Sequence, residues 1–182
     1  GGTEILRYSL TASLYHENGI MGSDKTLPYD TQSKLNRYNI RANVDLDLTK
    51  TTLLRFNVGG YLQNLRKSRS STDELFQAAF ETPPFVHPAI YSDGTIPRVS
   101  KNPWAMSTQN GYYRGGKSKL ESLFSLEQNL KMITPGLKMK VTFAFDTYNE
   151  NFVTRGKEPD YYSVAKSRND EGELVHSILS YG

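Results

Sequence analysis

Few side chains in this chain have the types and spacing that catalysis or metal binding requires. The three histidines, His16, His87 and His176, stand far apart, and none has a second ligand at the spacing of a metal site. The chain contains no cysteine, which excludes thiol chemistry and disulfide bonds. We therefore expect neither a metal site nor a cofactor.

Asp45 and Asp47 have a spacing that raises the question of acid–base catalysis. On a strand, residues two apart share one side, so these carboxylates would be neighbours. No histidine or apolar pocket accompanies them, and a general acid needs such a partner or environment to shift its pKa. We expect them to pair with Arg55, or with a plug if the strands form a barrel, and we predict that the chain is not an enzyme.

Aromatic residues in the long middle segment are better candidates for binding. They stand among glycine, proline, asparagine and serine, and flat rings beside amide groups suit the recognition of sugars or peptides. The candidate ligand-binding residues are Phe85, Tyr91, Trp104, Tyr112 and Tyr113. Trp104 and Tyr112 are the first choices, because large aromatic residues dominate binding energetics. The alternative is that these rings anchor the loop internally.

The bulk composition excludes some classes of protein. The net charge is +3 with both signs interspersed and no basic stripe, so we expect no nucleic-acid partner. No run of 18 apolar residues is present, so we expect no membrane-spanning helix.

The elements that would position these residues are strands. Five segments alternate between apolar and polar or charged residues, which gives a ribbon one apolar side and one polar side. The predicted strands are 4–15, 37–48, 52–63, 119–131 and 137–148, with a weaker sixth segment at 174–181. The connections at Thr49-Lys50-Thr51 and 132–136 are tight, whereas the segments 17–36, 64–118 and 149–182 are long.

Tight turns on one side and long loops on the other are typical of an outer-membrane barrel. We therefore predict an all-β fold, an antiparallel up-and-down meander that forms part of a transmembrane β-barrel with long extracellular loops. The apolar sides would face lipid, and the lumen would be lined by Arg37, Arg41, Asp45, Asp47 and Arg55. A soluble carbohydrate-binding β-sandwich, with its apolar sides turned inward, and a surface structural module remain alternatives.

One short helix is expected in the long loop. Ser71 and Glu74 have the spacing of a capping box, and apolar residues follow at helical intervals. The pattern predicts a helix over 72–80 that ends before Pro83 and Pro84.

Three stretches carry a resemblance to a known family. They are RYNIRANVDLDLTKTTLLRFNVGGYLQN, LFQAAFETPPFVHPAIYSDGTIPRVSKNPWAMSTQNGYYR and LFSLEQNLKMITPGLKMKVTFAFDTYNENFVTRGKEPDYY. In this order and spacing, across roughly residues 4–165, they resemble the barrel region of the SusC/RagA family of TonB-linked outer-membrane proteins.

The resemblance implies a location in the outer membrane of Bacteroidetes-type bacteria and a role in nutrient uptake. It implies a SusD-like surface lipoprotein as a lid, energy delivered by TonB, and oligosaccharides or peptides as substrates. The aromatic residues of the long loop could then contact that lid. Because no plug domain or TonB box is recognised and single-chain barrels start at about eight strands, we expect residues 1–182 to be an interior piece of such a barrel.

Overall fold

The structure is a computed structural model that describes residues 1–83, 85, 88–99 and 101–180. The chain is mostly antiparallel β-sheet, which confirms the all-β prediction. The elements in the described residues are β1 (Leu6–Asn18), β2 (Lys34–Thr49), β3 (Thr52–Ser68), α1 (Thr72–Glu81), β4 (Ile96–Pro97), α2 (Pro103–Thr108), β5 (Gly111–Asn129), β6 (Lys138–Gly156), β7 (Tyr161–Tyr162) and β8 (Ile178–Ser180).

Five long strands form one sheet in the order β1-β2-β3-β5-β6. Each strand lies beside the long strand that precedes it in the chain, which confirms the predicted meander. The sheet is open and is not closed into a barrel, so β1 and β6 are its edges among the described residues.

The strands run further than the alternation predicted. β3 continues to Ser68, β5 already begins at Gly111, and β6 continues to Gly156. The predicted loops at 64–118 and 149–182 are therefore shorter than expected. The added strand ends carry polar residues on both sides, such as Arg66 and Lys67, so no apolar period marks them in the sequence.

The chain divides into two compact units. The first, called here the sheet unit, comprises Gly1–Glu17, Leu35–Asn64 and Gly116–Asn151. The second, called the loop unit, comprises Asn18–Lys34, Leu65–Gly115 and Phe152–Gly182. The sheet unit contains most of the long strands, and the loop unit contains the helices and the short strands.

The apolar side of the sheet unit is uncovered. Leu10 is 68% exposed, Val141 56% and Phe143 65% on the outer strands, and Phe56 and Leu120 on the inner strands are still 41% and 42% exposed. Among the described residues, the buried apolar side chains are Leu75, Ala78, Ile96, Pro97 and Ala105, and all five belong to the loop unit. No apolar core therefore lies on either side of the sheet unit in the described part of the chain.

The loop unit has a small core of its own. β4 pairs in parallel with β7, and β7 pairs antiparallel with β8, while α1 and α2 pack against each other. β8 falls within the predicted weak segment at 174–181, whose last residue lies outside the described residues. No helix in the described ranges is long and apolar enough to cross a membrane.

Of the two helices, α1 was predicted from the sequence and α2 was not. α1 confirms the helix predicted over 72–80, including the capping box in which Ser71 and Glu74 each accept a backbone hydrogen bond from the other. α2 was not predicted, although Asn102 at its N-cap and Pro103 at its first position are a known starting signal. It is only six residues long, too short for a helical period to show.

Candidate functional site

The polar side of the sheet unit carries a set of ion pairs. Arg55 lies between two carboxylates, 3.7 Å from Asp45 and 3.1 Å from Glu127. Asp47 pairs at 2.6 Å with Arg7 on β1 and not with Arg55, which was one of the two partners expected for it. The two-residue period places Asp45, Asp47 and Arg55 on the same side of the sheet. Which side chains come within ion-pair distance depends on the strand order and the register, and the period determines neither of them.

The two remaining residues predicted to line the lumen are Arg37 and Arg41. Their side chains lie over an aromatic ring and a glycine of β3. The Arg37 guanidinium stands 4.1 Å from the centre of the Tyr61 ring and donates to Asn39 at 3.0 Å. The Arg41 side chain lies over Gly59. Together with Glu121, these side chains line a polar hollow of about 220 Å³. The five predicted residues thus share one charged, partly solvent-exposed face of the sheet unit.

In the loop unit, Tyr113 forms an aromatic surface on β5. Its ring is stacked on Phe152, with centroids 6.2 Å apart and planes 16° apart, and Lys67 lies 5.6 Å from its centre. Gly115 makes this possible, because a Cβ there would lie 2.6 Å from the Tyr113 hydroxyl. Phe152 is 67% exposed, so the pair offers a flat apolar surface beside a cation.

Sequence reasoning missed Phe152 and Lys67 as members of this surface. They lie on β6 and β3, the strands on either side of β5 in the sheet order. A correct register of the three strands would have brought them together with Tyr113, but the predicted strands ended before reaching any of these residues.

Tyr112, a first choice from the sequence, is an anchor. Its ring lies 5.5 Å from that of Tyr29, and Arg114 stands 4.8 Å above it. Tyr29 in turn donates to the Gln109 carbonyl at 3.2 Å. Tyr112 therefore links the segment after β1 to the start of β5.

Tyr91 also serves the internal structure of the loop unit. Its ring stacks on His176 at 5.9 Å, and its hydroxyl accepts from the Ala165 backbone at 2.9 Å. His176 stands edge-on to Tyr162 at 5.0 Å and lies 3.5 Å from Asp93. This cluster holds the 91–95 turn against the segment around residue 176.

The last two aromatic candidates have opposite environments. Trp104 lies in α2, and its buried Nε1 has no hydrogen-bond partner among the described residues. Phe85 is 88% exposed. His87, between these segments, lies outside the described residues. Of the five predicted aromatics, Phe85 is exposed and the other four are half-buried. Among those four, Tyr113 is the one whose ring is stacked on an exposed neighbour, Phe152.

The loop unit also contains a polar cavity of about 680 Å³ whose lining includes Arg69, Arg98 and Lys157. Within the described ranges, no group of three histidine, aspartate or glutamate side chains is placed to hold a metal ion.

Comparisons with known proteins identify no relative. No family model, no curated protein and no solved structure matches the chain.

Proposed function

We propose that this chain is part of the wall and outer loops of an outer-membrane, TonB-dependent importer of the SusC type. One observation carries the proposal: the apolar side of the five-stranded sheet is exposed, and no described residue covers it. Soluble proteins rarely expose an apolar patch larger than a few hundred Å² without a partner. Lipid hydrocarbon would cover this face without any second protein layer.

A soluble β-sandwich needs a second sheet of comparable size packed on the apolar side. The other sheet among the described residues has strands of two, two and three residues, β4, β7 and β8. Strands of this length supply too few side chains to cover strands of 13–19 residues. The uncovered face therefore favours the barrel wall over the sandwich.

Strand length and the polar side support the same reading. A tilted strand needs about 9–11 residues to span a bilayer, and the shortest long strand, β1, has 13. In barrels of this class the side opposite the lipid faces a water-filled or plugged interior. The ion pairs of Arg55 and Arg7 suit such an interior, because their charges are matched while they remain partly hydrated.

Both edges of the sheet need partners in this proposal. β1 and β6 each have one neighbour among the described strands, and unpaired backbone groups are not tolerated against hydrocarbon. Further strands of the same barrel would pair with them. The transported ligand would be an oligosaccharide or a peptide, captured with a SusD-like lipoprotein, and the stacked Tyr113–Phe152 pair supports a sugar.

The proposal is tested by the detergent requirement of the chain. We expect the chain to be monodisperse only in detergent. Light scattering during gel filtration should show a layer of bound detergent around the protein, the detergent belt. Replacing Ile40, Val44, Val141 and Phe143 by glutamine should shrink that belt, while Thr142→Gln with Ala144→Gln on the polar side should leave it unchanged. A monodisperse monomer that unfolds cooperatively without detergent would overturn the proposal.

The coding sequence around this chain tests the importer role separately. We expect a plug domain upstream and a gene for a SusD-like lipoprotein beside it. If both are missing while the detergent belt is present, the chain is wall material of some other outer-membrane protein.

A further inference from the structure

We propose that the cavity of the loop unit lined by Arg69, Arg98 and Lys157 binds the carboxylate of an acidic saccharide. The acidic saccharide would be a substrate of the importer, and that part of the inference rests on the proposed function. The binding itself rests only on the cavity, which has a volume of about 680 Å³.

The three cations come from separate segments that backbone hydrogen bonds hold in place. The Arg69 N–H donates to the Gly111 carbonyl at 3.3 Å, and the Lys157 N–H donates to the Asn110 carbonyl at 3.1 Å. Arg98 follows β4, and its N–H donates to Tyr162 of β7 at 2.8 Å. Each cation therefore projects from a fixed backbone position, which lowers the entropy lost when a ligand binds.

Positive side chains outnumber negative ones in the lining of the cavity. Among the described residues, no ion pair of Arg69, Arg98 or Lys157 is seen, although eight other lysine and arginine side chains form one, among them Arg66, Lys101 and Lys117. Glu158 is the single carboxylate in the lining. Three cations facing one carboxylate leave an excess of positive charge that an anionic group of a ligand can balance.

The rest of the lining suits a sugar better than a simple anion. Asn110 offers a side-chain amide, Glu158 can accept from hydroxyl groups, and Tyr161 contributes a half-buried ring. Burial, and then the nearby Glu158, raise the pKa of Tyr161, so its hydroxyl stays a hydrogen-bond donor at neutral pH. Glu158 would repel a second negative charge, which favours a ligand with one carboxylate and several hydroxyls over a polyacidic peptide.

The volume is compatible with this class of ligand. Small-molecule sites typically measure about 300–1,000 Å³, and this cavity falls within that range. It has room for one or two sugar rings. Its open polar lining differs from the apolar hollow of about 600 Å³ on the sheet unit, which is lined by Leu14, Tyr38, Ile40, Leu62 and Leu120 among others.

The test uses two probes that differ in a single group, methyl glucuronide and methyl glucoside, titrated calorimetrically into the whole chain in detergent. We expect the glucuronide to bind, more weakly as salt is added, and the glucoside to give no measurable heat. Arg98→Gln and Lys157→Gln should each weaken glucuronide binding about tenfold, as the loss of a charged hydrogen-bonding partner typically does. Lys157→Arg should retain binding, and Lys166→Gln, an exposed lysine outside the lining, should have no effect.

Several results would overturn the inference. They are equal binding of glucoside and glucuronide, binding of acetate as tight as that of glucuronide, tighter binding of a triglutamate peptide, and unchanged affinity in the two glutamine variants. Any of these would leave the detergent belt intact, so this inference can fail without the proposed function. Conversely, loss of the detergent requirement would overturn the proposed function while the measured affinities stood.

Discussion

Arg55 illustrates how single charges are held on the polar side of the sheet unit. Its side chain and those of its partners Asp45 and Glu127 are each about one-third exposed, with values of 34%, 35% and 28%. Ion pairs of this exposure typically contribute about 0–1 kcal/mol each. Their main effect is therefore to balance charge in a hydrated space, and the fold does not depend on any one of them.

Asp24 is held more tightly, within the loop unit. Its carboxylate accepts from the Thr26 hydroxyl at 2.6 Å, from the Thr26 backbone at 2.9 Å and from Gln109 at 2.8 Å. These hydrogen bonds, the Thr26 hydroxyl first, hold the pKa of Asp24 below its usual value. The resulting stabilisation is complete above the unfolded-state pKa and is lost as the pH falls through the lower folded-state pKa.

We therefore expect Asp24→Asn to lower the free energy of unfolding of the loop unit by about 1 kcal/mol at neutral pH. The loss of stability below about pH 4 should also become shallower. Urea unfolding followed by the fluorescence of Trp104, the single tryptophan, measures both effects. Asp170→Asn, in an exposed turn, is the control, and an acid profile of Asp24→Asn identical to that of the parent chain would contradict the expectation.

At the scale of elements, the approach of β3 to β5 depends on Gly60. A Cβ at this position would collide with the carbonyl oxygen of Lys119 on β5. At the neighbouring Gly59, a Cβ would meet nothing closer than 3.7 Å. The sequence shows two adjacent glycines and gives no sign that only one of them is required for strand packing.

Gly60→Ala should lower the stability of the sheet by about 1–3 kcal/mol, since β5 must move away to accept the methyl group. Gly59→Ala is the matched control, and we expect it to be neutral or slightly stabilising. Urea unfolding in detergent, followed by far-UV circular dichroism, reports on the sheet. Equal midpoints for the two variants would show that the strands do not pack as described.

Some elements could be predicted from the sequence and others could not, for physical reasons. Long strands with one apolar side, such as β2, can be predicted from their two-residue period, and α1 can be predicted from its capping box. The ends of β3 and β5 and the short α2 carry no such period. Tyr113 was a predicted binding residue, but its partners Phe152 and Lys67 depend on the register of three strands, which local patterns do not encode.

At the scale of the whole molecule, different interactions stabilise the two units. The loop unit buries Leu75, Ala78, Ile96 and Ala105 and has a core of the ordinary kind. The sheet unit is held together by strand pairing and leaves its apolar side chains exposed. A sheet of this kind needs an apolar surrounding, and we propose that the surrounding is lipid.

The most direct test of that claim places single cysteines on adjacent residues of β2. The chain has no cysteine of its own, so Ala42→Cys, Asn43→Cys, Val44→Cys and Asp45→Cys can each be labelled without background. In detergent, we expect a water-soluble maleimide to react quickly at positions 43 and 45 and slowly at 42 and 44. A nitroxide carried in the apolar phase should quench fluorophores at 42 and 44 only. Fast aqueous labelling at 42 and 44 with protection at 43 and 45, or equal labelling at all four, would contradict the account.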